Sequence, residues 1–121
     1  MKIIGIGNKL NGEDIESLIK EFGGVFLGER LQDLDKIIGE GDEEVVIVDL
    51  SKNVKFIVLG LDDIYPGILS YNELENYLLE IISKGIKVNV TIVAFSKEKE
   101  EIGRCFLKCL LLKKSTLPLE R

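Results

Sequence analysis

Apolar strands and amphipathic helices alternate along the 121 residues in the order β-α-β-α-β-β-α-β-α. That order predicts an α/β fold: a three-layer α/β/α sandwich around a mostly parallel sheet of about five strands with an antiparallel edge strand. Three observations carry the prediction. Runs such as "VVIV" and "TIVAF" are apolar without alternation, as expected of strands buried on both faces. The segments between them carry apolar residues at helical spacing. One link, "SKN", is too short for a parallel crossover.

Residues 2 to 6, "KIIGI", read as the first strand. Ile15, Leu18, Ile19 and Phe22 then line one face of a helix that Gly23 and Gly24 stop. "VFLG" reads as a short second strand, and Leu31, Leu34, Ile37 and Ile38 predict a second helix ended by Gly39 and Gly41. "EEVVIVDL" is the clearest strand, with four consecutive β-branched residues before Asp49. "VKFIVLGL" follows so closely that the two strands are expected to pair as an antiparallel hairpin, the second at or near an edge. After the irregular stretch "DDIYPGILSYN", Leu74, Tyr77, Leu78, Ile81 and Ile82 predict a third helix closed by Gly85. "IKVNVTIVAF" is the last strand and "SKEKEEIGRCFLKCLLLKK" the last helix. No linker or repeat divides the chain, so residues 1–121 are expected to form one domain.

Composition excludes several function classes. A formal net charge of −5 argues against a general nucleic-acid binder. No apolar run approaches the ~18 residues of a membrane span, and "MKIIGIGN" reaches Gly and Asn too early for a signal peptide. A cytoplasmic protein is expected. The chain holds no histidine, which removes Ser-His and Cys-His nucleophile pairs and every imidazole metal ligand. A metal here must rest mostly on oxygen donors. Cys105 and Cys109 are four apart on one helix face, where a disulfide would need distortion, and buried reduced thiols are expected.

The turn after the first strand, "GIGNKLNGED", admits three readings. Gly5-x-Gly7 with Glu29 further on has part of a dinucleotide fingerprint. Leu10 stands where the third glycine belongs, and Glu13 and Asp14 would repel a pyrophosphate at the helix start. In the second reading, Asn11, Glu13 and Asp14 cap the helix, a contribution of about 1 kcal/mol. The third gathers carboxylates for a metal. Asp49 ends a strand, and if that strand is parallel to the first, both acids lie at the same sheet edge. Asp49 also fits a strand-end residue bonded to backbone N–H groups, and Asn72 fits a helix N-cap.

The run Gly5-x-Gly7-Asn8-x-Leu10, two residues, then Glu13 and Asp14 resembles the signature of the hydrogenase maturation endopeptidases, which trim the C-terminus of nickel–iron hydrogenase large subunits. "VVIVDL", the short link to "VKFIVL", "SYNEL" and "TIVAF" follow in the family's order, so the resemblance covers most of the chain. It implies an α/β sandwich and a nickel or other divalent metal site held by Asp14, Asp49 and Asn72. Gly5, Gly7, Asn8 and Glu13 would form the site loop. The metal would polarise a scissile carbonyl, and the partner would be a hydrogenase large-subunit precursor. Where the family has its metal-binding histidine, this chain has Asn72, whose amide oxygen is a hard, weak donor. Two readings therefore stay open: a peptidase, and a non-catalytic binding protein that kept the fold and lost the metal.

Elsewhere, Asp62 and Asp63 read as a solvated turn, and Tyr65, Tyr71 and Tyr77 as packing around the long loop. The last helix is apolar beyond one stripe, from Cys105 to Leu112, which predicts cover by another chain or by the terminal "STLPLER", with a homo-oligomer or partner surface favoured.

Overall fold

A computed structural model describes residues 1–7, 15–38, 43–51, 55–67 and 72–116, with the backbone alone for Asn72 and residues 114–116. The strands are β1 (Lys2–Ile6), β2 (Val25–Gly28), β3 (Glu44–Leu50), β4 (Phe56–Gly60) and β5 (Asn89–Phe95). The helices are α1 (Glu16–Glu21), α2 (Leu34–Ile37), α3 (Asn72–Ser83) and α4 (Glu100–Thr116). One five-stranded sheet runs in the order β2-β1-β3-β5-β4. All neighbours are parallel except β4, which pairs antiparallel with β5. The predicted α/β sandwich with an antiparallel edge is therefore the fold.

Each face of the sheet has its own core, assigned by strand parity. Ile4, Ile6, Val45, Ile47, Val90 and Ile92 point to one side, against Leu31 and Leu34 of the α2 region and Leu74 and Leu78 of α3. Ile3, Val46, Val48, Val93 and Phe95 point to the other, against Ile15, Leu18 and Ile19 around α1 and Leu107 of α4. β3 is buried from Val45 to Leu50, as its unbroken apolar run requires.

The expected β3–β4 hairpin does not form. β5 lies between them, with Leu50 and Phe56 both in register with Phe95. The short link forbids a parallel crossover but not an antiparallel step over one strand, a lateral distance of about 10 Å. The second predicted helix is also shorter than its apolar pattern. It is a 3₁₀ turn, Leu31–Asp33, followed by the four residues of α2.

The two described tyrosines of this region differ in their packing. Tyr77 Oη donates a 2.6 Å hydrogen bond to Asp35 Oδ1, tying α3 to α2. Tyr65 is 59% exposed and does not pack as predicted. Partial burial, then the Asp35 hydrogen bond and the Asp35 and Glu80 charges, hold the Tyr77 phenol well above its ordinary value. Above about pH 10 the unfolded chain loses the tyrosine proton that the folded chain keeps, so stability falls as pH rises. Tyr77→Phe removes that contribution. Urea unfolding between about pH 8 and 11 is expected to show a steeper alkaline loss for the wild type than for Tyr77→Phe. Equal slopes would contradict the contact.

Candidate functional site

The carboxyl ends of β1, β2, β3 and β5 share one edge, because these strands are mutually parallel. Asp49 sits there on the central strand, between Ile6 of β1 and Ala94 of β5. It is 1% exposed. A carboxylate so placed is costly to bury unless hydrogen-bonded, paired or bound to a cation. By parity Asp49 shares the sheet face of Val45 and Ile47, the side covered by α2 and α3. Gly7 continues the same edge, its N–H donating to Gly28 O at 3.1 Å. Ser51 N–H donates to Phe95 O at 2.8 Å, and Ser96 N–H to Lys55 O at 3.0 Å.

The start of α3 comes to this edge as well. A cavity of about 390 Å³ is lined by Glu29, which follows the carboxyl end of β2, and by Gln32, Asp35, Glu73, Tyr77 and Glu80. The first turn of α3 therefore lies on the Asp49 face, and Asn72 is its first residue. The cavity's four carboxylates favour cations over anions.

Gly5 has a packing role. A Cβ there would meet Ile19 Cγ1 at 2.5 Å and a Phe26 ring atom at 2.9 Å, so the bare backbone lets α1 lie close on β1. Asn8, Leu10, Glu13 and Asp14 lie outside the described residues, as do Asn11 and Tyr71. α1 packs on the face opposite Asp49. Among the described residues, no group of three His, Cys, Asp or Glu side chains is placed to hold a metal ion. The donors that the resemblance supplies are all oxygen. They fit a hard divalent cation better than nickel, and the absence of imidazole leaves nickel a poor match.

Three polar residues went unnoticed in the sequence. Glu75 is 5% exposed, and its Oε1 accepts the Gly67 N–H at 2.7 Å. It follows the apolar stripe residue Leu74 by one position, and an acid in a first helical turn reads as a dipole partner. Ser51 is 2% exposed just past β3. Ser96 stands at the N-cap position of the turn before α4 but makes no side-chain cap bond, and its buried Oγ has no hydrogen-bond partner among the described residues. Asp62 and Asp63 are exposed as expected, with Asp63 Oδ2 accepting the Gly60 N–H at 2.8 Å.

Compared with protein-family models, curated proteins and solved structures, the chain matches none. Among the described residues no helix is long and apolar enough to cross a membrane.

Proposed function

We propose that this chain is a divergent relative of the hydrogenase maturation endopeptidases, working in the cytoplasm. It engages the C-terminal segment of a hydrogenase large-subunit precursor at the carboxyl edge of its sheet. The observation that carries the reading is Asp49, a carboxylate buried at the end of the central strand and on the face that α3 covers. That is where the resemblance puts a metal ligand, and it is where open α/β sheets generally bind ligands. Asp14 and Asn72 complete an oxygen-donor site for a divalent cation, with Gly7, Asn8 and Glu13 in the loop beside it.

The absence of histidine favours recognition without cleavage as a second reading, since an imidazole would have anchored the metal and none exists. Incubation with a metal-loaded large-subunit precursor separates the two. Loss of the precursor's C-terminal peptide, abolished by Asp49→Asn, supports a peptidase. A stable complex with an intact precursor supports the binding protein. A precursor that is neither cleaved nor bound overturns the proposal. We further propose that α4 mediates self-association, because its outer face stays apolar: Ile102 is 47% and Leu112 63% exposed.

A further inference from the structure

Contrary to expectation, Cys105 and Cys109 are both exposed. The helix turns Gly103 and Leu107 inward instead. Phe95 ring atoms fill the place a Cβ on Gly103 would take, which fixes how α4 is rotated on β5 and leaves the row of Cys105 and Cys109 facing outward. Two residues four apart in one helix are neighbours on its surface, with Cβ atoms about 5–6 Å apart.

That spacing decides what the two thiols can hold. A disulfide needs Cβ atoms about 3.5–4.5 Å apart, closer than a regular helix brings them, and both cysteines are free. One soft metal ion needs more room. Two metal–sulfur bonds of about 2.3 Å each, laid in line, part the sulfurs by about 4.6 Å. Thiols on neighbouring turns reach that separation with the helix unchanged.

The donor count narrows the ion. Among the described residues no third His, Cys, Asp or Glu joins the pair in a three-donor group. Tetrahedral zinc is therefore poorly served. Two thiolates alone suit a soft ion content with two ligands, and copper(I) is that ion. Glu101, one turn before Cys105, is a hard oxygen donor and already pairs with Arg104. Arg104 in turn also meets Glu21 and Glu100. Ile102 and Leu112, both exposed, flank the pair three residues before Cys105 and three after Cys109, an apolar border that limits water around a bound ion. Two thiolates and one monovalent cation leave a single negative charge, and Lys108, exposed and next to Cys109 in sequence, brings a positive one.

We infer that Cys105 and Cys109 bind one copper(I) ion between them on the outer face of α4. Binding releases both thiol protons to solvent and leaves the oxidation state of the copper unchanged. The site is separate from the sheet edge at Asp49 and does not rest on the function proposed there.

Anaerobic titration of copper(I) into the reduced full chain, in competition with the chromophoric chelator ferrozine, tests the inference. The wild type is expected to withdraw one ion per chain and to gain the ultraviolet charge-transfer absorption of copper(I)–thiolate. Cys105→Ser and Cys109→Ser are each expected to lose at least about a hundredfold in affinity, the upper end of what an outer-sphere partner costs. An equimolar mixture of the two variants is expected to recover nothing, because both ligands belong to one chain. Cys109→Ser combined with Leu112→Cys keeps two thiols at exposed positions but sets them about 10.5 Å apart along the helix, and is expected to bind no better than Cys109→Ser alone. Recovery in the mixture would place the ion between chains and overturn the inference. So would wild-type affinity in the respaced variant or in either single variant, or a wild type that takes no copper from the chelator.

Discussion

Truncating Phe95 to alanine is expected to remove about 3–5 kcal/mol from the unfolding free energy, a large part of a single domain's usual stability. The reasoning starts from the strand order. β5 lies inside the sheet, so Phe95 at its end is in register with Leu50 on one side and Phe56 on the other. Its ring is fully buried and pressed against Gly103, the one residue of α4 that can come so close without a side chain in the way. Removing the ring leaves a cavity under α4 that a rigid sheet cannot collapse. Val58→Ala on the edge strand, where Val58 is 38% exposed, is the control, with an expected change within about 0.5 kcal/mol. Urea unfolding of both variants checks the pair. A loss below about 1 kcal/mol for Phe95→Ala would contradict the packing of α4.

The second large effect concerns Asp49. If its carboxylate holds a cation, the metal binds only the folded chain and raises its stability by mass action. At a hundred times the dissociation constant the gain is about 2.7 kcal/mol, or roughly 10 °C in Tm for a domain of this size. Asp49→Asn keeps the shape of the side chain and removes its charge. The expected result is that manganese, zinc or nickel raises the wild-type Tm and leaves that of Asp49→Asn unmoved. Should the metal raise both equally, Asp49 is a structural strand-end residue and binds no cation.

How much of this was legible from sequence differs between elements, for physical reasons. β3 announced itself because four β-branched residues in a row suit only a strand covered on both faces. α1 did so through the spacing of Ile15, Leu18 and Ile19, all now buried. The partner of β4 did not, because a short link limits how far a chain travels and not which strand it settles beside. The apolar run of β5, "TIVAF", held the missing signal: a strand buried on both faces and along both edges belongs inside the sheet. The cysteines were misplaced because the stretch of α4 from Cys105 to Leu112 is apolar beyond one stripe. Only its one glycine, facing Phe95, marks the inner face. At the candidate site, Asp49 was readable as the sole acid closing an apolar strand. Glu75 was not, since its burial depends on Gly67 folding back eight residues along the chain.

The proposed function requires that Asp14 and Asp49, far apart in sequence, serve one cation. Calorimetric titration of nickel, zinc and manganese into wild type, Asp14→Ala, Asp49→Ala and the double variant tests it most directly. One pocket predicts saturable binding at one ion per chain in the wild type, lost in either single variant, with nothing further to lose in the double. Wild-type protein that takes up none of the three ions, or single variants that bind like the wild type, would contradict it.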